Sequence, residues 1–221
     1  VDQFFIGQSV GPLGNAATTI AYPLTISCIA IALLFGIGGA SAFNLAMGMQ
    51  KKDEAPKYIG NSAVMMLVCG SLLALFSLLN SSSLLTFFGS PDDVLPYATK
   101  YLRITALGFP FLILSSGGGH FVRADGKPRY SMFINLTGAI INTVLDAIFV
   151  FGLNLGIKGA AFATIIGQLV AGIMVLLYLR RFKTVHICPG DFIPELYCLK
   201  RVTSLGAASM INQIAMMILQ I

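Results

Sequence analysis

Long runs without charged residues are the feature that most restricts how this chain can fold. Five stretches contain no Asp, Glu, Lys or Arg. They are residues 3–50, 58–91, 104–122, 159–179 and 202–221. A further stretch, residues 130–157, contains only Asp146. A membrane-spanning helix needs about 20 mainly apolar residues, so each stretch can hold one. Continuous apolar runs such as 26–35 and 165–179 lack the alternation of membrane β-barrel strands and therefore predict helices.

Composition supports the same interpretation. Hydrophobic residues make up 56% and charged residues 10% of the chain, and the mean hydropathy is +0.83. Typical soluble domains have about 25% charged residues. These values exclude a disordered chain, a secreted disulfide scaffold and an ordinary cytosolic enzyme. The net charge of +5 does not indicate a nucleic-acid partner, because the basic residues lie in short connections without a basic face. We predict an all-α integral membrane protein in contact with the lipid bilayer.

We predict a six-helix transmembrane bundle whose first helix is truncated, followed by the start of a seventh helix. Residues 1–7 are the end of the first helix. The five complete spans are about residues 20–46, 59–79, 103–121, 131–151 and 159–179. The chain is expected to be a fragment of a longer protein. Its predicted parts are a transmembrane lobe over residues 1–179, a cytoplasmic linker over 180–201 and the opening of the next helix over 202–221.

Basic residues are concentrated in alternate connections. Eleven of the 14 Lys and Arg residues lie in one set, formed by the connections near residues 47–58, 122–130 and 180–201. The other set holds only Lys100, Arg103 and Lys158. Because cytoplasmic loops are enriched in Lys and Arg, the first set is predicted to be cytoplasmic.

Small residues recur at helical spacing in two spans. Gly36 lies in one such stripe with Ala32 and Ala40, and Gly167 lies in another with Gly159, Ala163 and Ala171. Stripes of this kind allow membrane helices to approach closely, and we predict a packing role. Pro23 and Pro110 are predicted to bend their spans.

Two acidic residues, Asp2 and Asp146, lie in apolar segments, where an ionised group costs about 2.5–3.5 kcal/mol. Asp146 ends a stripe spaced by three or four residues, which places its members on one helix face. The stripe is Ser131, Asn135, Gly138, Asn142 and Asp146. A face this polar is predicted to avoid lipid. It lines a functional cavity or forms a hydrogen-bonded seam with another helix.

The two acids are predicted to lie at the same depth. Each is five residues from the predicted outer end of its helix, or about 8 Å at 1.5 Å per residue. Two carboxyls that meet in a low-dielectric interior cannot both stay ionised, so such a pair can carry a proton. Alternatively, Na⁺ lies between them, and Asn142 and Thr164 supply further oxygen ligands. The residues leave H⁺ and Na⁺ open as the bound ion, and no other cofactor or metal is expected.

Four segments resemble the MATE (multidrug and toxic compound extrusion) family, most of all its DinF-like bacterial and archaeal branch. They are VDQFFIG at 1–7, RADGKP at 123–128, NTVLDAIF at 142–149 and GAAFAT at 159–164. The resemblance implies one lobe of a two-lobe, twelve-helix transporter in the plasma membrane, with the second lobe on the same polypeptide. It implies export of drugs, often organic cations, in exchange for H⁺ or Na⁺.

The resemblance also implies site residues. The cation site of that branch carries over to Asp2, Asn142, Asp146 and Thr164, and a family tyrosine matches Tyr101. Gly119 replaces an asparagine that is common late in the fourth helix, and His120 follows it. A structural role is the commoner one for a histidine near the membrane interface, and contact with substrate or a proton is the alternative. With Asn135, these residues complete the candidate substrate cavity.

Two other functions compete with drug export. A lipid-linked sugar flippase of the same superfamily would be favoured by basic residues inside the spans, which the sequence lacks. A membrane-embedded enzyme would need a Ser/His pair or a metal-binding set of His, Asp and Glu. With only two histidines in the chain, we predict that it is not an enzyme.

Overall fold

The structure is a computed structural model that describes residues 2–219, apart from the side chain of residue 2. Within that range the chain forms nine α-helices. They are α1 (Asp2–Ser9), α2 (Pro12–Gly48), α3 (Ala55–Leu79), α4 (Ser81–Phe87), α5 (Leu95–Ala106), α6 (Phe109–Ala124), α7 (Pro128–Asp146), α8 (Gly156–Leu179) and α9 (Leu196–Ile218). A π-helical turn, Ala147–Gly152, follows α7, and a 3-10 turn, Pro189–Phe192, precedes α9.

Four helical segments are long and apolar enough to cross a membrane. They are Pro12–Gly48, Ala55–Leu79, Pro128–Gly152 and Gly156–Leu179. The pair α5 and α6 qualifies as a fifth if it is taken as one bent span. These segments contain the five complete spans predicted from the charge-free runs. The all-α membrane fold is therefore confirmed for the described residues.

The predicted fourth span, 103–121, is not one continuous helix. It is divided between α5 and α6, whose axes differ in direction by 58°. Pro110 is the second residue of α6. Proline has no N–H to donate, and its ring would clash with the carbonyl four residues earlier, at Ala106, where α5 ends. The sequence thus located the bend, but it placed the start of the helix too late. The helix begins at Leu95 because charged residues are tolerated where a helix projects beyond the hydrocarbon layer.

Helix α2 is the centre of the bundle. Its 37 residues continue through Pro23 and correspond to about 55 Å. It packs against α3, α5, α6 and α9. A Cβ added to Gly36 would lie 2.7 Å from the Cα of Gly117 in α6, and one added to Gly167 in α8 would lie 2.8 Å from the carbonyl oxygen of Gly138 in α7. The predicted small-residue stripes therefore do allow close helix packing.

The last helix begins earlier than predicted. Helix α9 starts at Leu196 rather than 202 and packs along α2. The preceding segment is fixed to α3 by the fully buried side chain of Asn61. Its Nδ2 donates to the carbonyl oxygens of Asp191, at 3.0 Å, and Ile193, at 3.1 Å, and its Oδ1 accepts from the Glu195 amide at 2.6 Å. The segment predicted as a linker is therefore bound to the bundle.

Candidate ion and substrate site

The polar stripe of α7 faces the interior over most of its length. Ser131 is buried and its Oγ donates to the Gly119 carbonyl oxygen of α6 at 3.0 Å. Gly138 is buried against α8, and Asp146 is fully buried. Asn135 is the exception, since its side chain is exposed. The prediction that this face avoids lipid is confirmed for its two ends and its centre.

A small cavity lies where α7 meets α8, and we call it the α7–α8 groove. Its volume is about 220 Å³, and its lining includes Asn135, Asn142, Thr164 and Gln168. Asn142 Nδ2 lies 3.4 Å from Thr164 Oγ1, which itself donates to the Ala160 carbonyl oxygen at 2.9 Å. The long Asn142–Thr164 contact brings together two of the four predicted cation-site residues.

Asp146 lies one helical turn beyond Asn142, where the backbone changes from α to π geometry. It is the last residue of α7, and the π-helical turn begins at Ala147. The change is visible in the amide of Leu153, which donates to the carbonyl oxygen of Ile148, five residues earlier, at 2.9 Å. Single π-helical turns are frequent at functional sites. No pattern in the sequence predicted this turn.

Helix α1 reaches the same level. The rings of Phe5 in α1 and Phe151 in the π-helical turn lie 5.4 Å apart between centroids, and α1 also contacts α8. These contacts agree with the depth argument for the ends of the two helices. The side chain of Asp2 lies outside the described residues, so its pairing with Asp146 stays a prediction.

A larger inner cavity of about 500 Å³ lies between α1, α2, α5, α6 and α8. Tyr101, predicted from the resemblance, lies in its wall. The other lining residues are Gln3, Thr18, Thr19, Tyr22, Thr25, Thr105, Phe109, Leu112, Thr164 and Gln168. None of these described residues is charged. A lining that combines hydroxyl, amide and aromatic groups with a few apolar side chains suits organic molecules that contain rings and a few polar atoms.

Thr164 and Gln168 line both the inner cavity and the α7–α8 groove. They are one turn apart on α8, which thus forms a wall between the two spaces. The Oε1 atom of Gln168 is buried and has no hydrogen-bond partner among the described residues. Gln168 was not predicted as a site residue, although it is the one amide side chain in the run 159–179.

Two candidate residues lie apart from these spaces. Gly119 and His120 line neither the inner cavity nor the α7–α8 groove. Gly119 is buried at the crossing of α6 and α7, where an added Cβ would lie 3.1 Å from Ser131 Oγ. His120 lies in the C-terminal part of α6 and is partly buried. The structure does not bring either residue to the cavity that contains Tyr101.

A second buried aspartate, Asp125, organises the hydrogen bonds around the end of α8, and the sequence did not predict this role. Asp125, 6% exposed, follows α6 and accepts from Tyr178 Oη at 2.7 Å, the Lys183 amide at 2.9 Å and the Thr184 amide at 2.8 Å. The Thr184 hydroxyl donates to it as well. Burial alone would raise the pKa of this carboxyl, but these hydrogen bonds outweigh burial and hold the pKa below its usual value.

The sequence of this chain is similar to that of several known proteins. A family model described as MatE matches residues 1–148. The multidrug export protein MepA of Staphylococcus haemolyticus is 32% identical over 176 residues, which cover 78% of this chain and 39% of that protein. The probable multidrug resistance protein YoeA of Bacillus subtilis is 24% identical over 187 residues, which cover 83% of this chain and 40% of that protein. The chain thus spans well under half the length of these relatives.

Solved structures give the same result. A MATE transporter in its bent conformation matches with a TM-score of 0.91 and 27% identity, over 98% of this chain and 49% of that one. An inward-facing MATE family transporter of the MOP superfamily matches with a TM-score of 0.85 and 26% identity, over 99% of this chain and 50% of that one. Since the family model covers most of the chain, the resemblance of the sequence to the MATE family is confirmed. The chain belongs to the MatE family, whose members are transporters rather than enzymes, and it corresponds to the N-terminal lobe of such a transporter.

Proposed function

We propose that this chain is the ion-binding lobe of a multidrug efflux antiporter in the plasma membrane. The complete transporter would export drugs and toxic organic compounds, often cationic, in exchange for H⁺ or Na⁺ that enters by way of Asp2, Asn142, Asp146 and Thr164. No cofactor besides the coupling ion is proposed. The names of the relatives, which are multidrug export and multidrug resistance proteins, support the substrate class.

One observation carries the proposal: the same turn of α8 borders both the inner cavity and the α7–α8 groove. Thr164 contacts Asn142 on one side and lines the space next to Tyr101 on the other. An ion or proton bound near Asn142 and Asp146 would change the position of this turn. A ligand in the inner cavity would respond to the same change, so the two ligands need not touch in order to compete.

Alternating access follows if each ligand prefers a different arrangement of the helices. The 58° break between α5 and α6 lies beside the inner cavity, since Thr105 and Phe109 line it. A break in a span allows its two halves to reorient with little loss of backbone hydrogen bonding. In our proposal, ion binding favours closure of the inner cavity and substrate binding favours opening.

The inner cavity also discriminates against the flippase alternative. Anionic headgroups bound there would need cationic partners, and none of the described residues that line it carries a charge. The uncharged lining fits a range of drug-like molecules better than it fits a phosphorylated sugar.

The test uses the full-length transporter in proteoliposomes, with separate H⁺ and Na⁺ gradients and a fluorescent organic cation such as ethidium. We expect Asp146→Asn to reduce gradient-driven efflux by about 5- to 150-fold, the usual range of coupling between two ligand sites. The matched control is Asp93→Asn, which removes the same charge from an exposed position and should leave efflux unchanged. Wild-type efflux in Asp146→Asn under both gradients would refute the proposal.

A further inference from the structure

A second site is indicated where α7 begins and α8 ends, at the side of the bundle that the basic connections predict to be cytoplasmic. A cavity of about 600 Å³ lies between these ends, and we call it the basic cavity. Its cationic side chains are Lys127, Arg180, Arg181 and Lys183. Tyr130, Leu177 and Tyr178 form the rest of its wall. Four cations around one cavity are a strong concentration of charge in a chain that is only 10% charged.

These cations are not neutralised by the protein. All four side chains are exposed, and within residues 2–219 none of them takes part in an ion pair. The ion pairs of the described chain lie elsewhere, at Lys51–Glu54 and Lys57–Glu195. The buried Asp125 carboxylate accepts hydrogen bonds from Tyr178, Lys183 and Thr184 but makes no ion pair among the described residues, and its single negative charge offsets at most one of the four positive charges. The cavity therefore keeps a positive field that suits an anion.

Ring stacking and hydrogen bonds hold the backbone and the aromatic wall of the basic cavity in place. The rings of Tyr130 and Tyr178 stack with centroids 5.0 Å apart and an angle of 30° between their planes. The Tyr178 hydroxyl is held by Asp125, and the same carboxylate holds the backbone of Lys183. The chain that carries Arg180, Arg181 and Lys183 is thus attached at both ends, to α8 and to Asp125.

An apolar groove continues from the basic cavity. It has a volume of about 680 Å³, and its lining includes Ile173, Leu176, Ile187 and Phe192. Leu177 and Arg180 line both spaces, so the groove and the cavity are contiguous. A cationic compartment that opens into an apolar one at the end of a membrane span has the shape and chemistry of a phospholipid site. The phosphate would lie among the cations and an acyl chain along the groove.

We propose that the basic cavity and its apolar groove bind an anionic phospholipid of the cytoplasmic leaflet. The arginine guanidinium groups and the lysine ammonium groups bind the phosphodiester, and Leu177 contacts the lipid where the headgroup joins the acyl chain. This site does not depend on the proposed ion exchange, because it shares no residue with the inner cavity or the α7–α8 groove.

The experiment is native mass spectrometry of the full-length transporter released from mixed vesicles of phosphatidylglycerol and phosphatidylcholine. The variant is the triple substitution Arg180→Gln, Arg181→Gln, Lys183→Gln. The matched control removes three cytoplasmic charges elsewhere, by Lys51→Gln, Lys52→Gln and Lys200→Gln. We expect wild type and control to retain phosphatidylglycerol preferentially. Each cation near an anionic lipid contributes about a fivefold preference, so the triple variant should lose about 100-fold.

A further variant and a competition measurement test the same proposal. Arg180→Glu places the opposite charge where cavity and groove join, so it should remove the preference even as a single, exposed substitution. Excess inorganic phosphate should not displace the lipid, because phosphate gains nothing from the groove. The proposal fails if wild type shows no preference for phosphatidylglycerol, as it would if the second lobe covered this surface. It also fails if the triple variant and its control retain lipid equally, or if phosphate alone displaces the lipid.

Discussion

Two buried aspartates flank helix α7, and their surroundings differ. Asp125, three residues before the helix, is held by hydrogen bonds from Tyr178, Lys183 and Thr184. Asp146, the last residue of α7, lies beside a π-helical turn and one turn from the long 3.4 Å contact between Asn142 and Thr164. The hydrogen bonds around Asp125 favour its ionised form. Asp146 is next to an irregular backbone and one turn from Asn142, which lines the α7–α8 groove, and we propose that protonation or ion binding changes the structure there.

The comparison shows that burial alone does not identify a functional acid. Both carboxyls are buried, but the hydrogen bonds to Asp125 come from three points on the chain that must stay where they are. Fixed donors favour the ionised form and resist a change of state. A transported proton or cation needs a site that can change its occupancy. We therefore expect substitutions of Asp125 to affect stability and those of Asp146 to affect transport.

The largest effect on stability is expected from Asp125→Ala. It removes the acceptor for the Tyr178 hydroxyl and for the amides of Lys183 and Thr184, which leaves buried donors without partners. Such losses cost about 1–3 kcal/mol each, and we expect a total near 3 kcal/mol because water can reach part of the site. The measurement is the free energy of unfolding of the full-length protein in detergent.

Asp92→Ala, at an exposed position in the loop before α5, is the control and should change the unfolding free energy by less than about 0.5 kcal/mol. Efflux per folded molecule should be preserved in Asp125→Ala. If that variant were as stable as wild type, or if it folded normally but lost ion coupling, the distinction between the two aspartates would not hold.

A smaller effect is expected from Gly167→Ala in α8. The added methyl would lie 2.8 Å from the Gly138 carbonyl oxygen and 3.1 Å from Asn142 Cβ, so α7 and α8 must separate. Overpacking of this kind costs about 1–3 kcal/mol. Because Asn142 would move, we also expect weaker ion dependence of efflux, measured as the ion concentration for half-maximal transport.

Gly48→Ala, at the end of α2, is the matched control, since an added Cβ there has no neighbour within 4 Å among the described atoms. It should leave both stability and ion dependence close to wild type. Equal behaviour of the two alanine variants would mean that the α7–α8 contact is not tight enough to position Asn142.

The smallest effect concerns pH. The pKa of Asp125 is lower in the folded protein than in the unfolded chain, so the unfolded chain binds more protons in the acid range. The contribution of Asp125 is therefore complete above its unfolded pKa of about 3.9 and is lost as the pH falls through the lower folded value. Thermal unfolding in detergent between neutral and acid pH should show wild type losing stability faster than Asp125→Asn. Parallel curves for the two proteins would contradict this assignment.

Several features of this protein could be predicted from short stretches of its sequence. The charge-free runs predicted the membrane spans, and the polar face ending at Asp146 was found from its spacing. Pro110 indicated the bend in the fourth span, and small residues such as Gly36 and Gly167 marked the helix contacts. These features depend on a bilayer that sorts residues by polarity and on a helix that repeats every 3.6 residues, so neighbours along the chain are sufficient to predict them.

The tertiary structure alone decided which distant groups meet. Asn61 holds the segment before α9 across 130 residues of sequence, and Asp125 holds Thr184 across 59. The role of Gln168 as a wall between two cavities likewise needed helices α2, α5, α7 and α8 in place. The physical reason is that hydrogen bonds and cavities depend on three-dimensional contacts, which hydropathy along one helix does not encode. Sequence therefore predicted that Asp146 faces the interior, and the fold showed which side chains and which turn of α8 line the α7–α8 groove and the inner cavity.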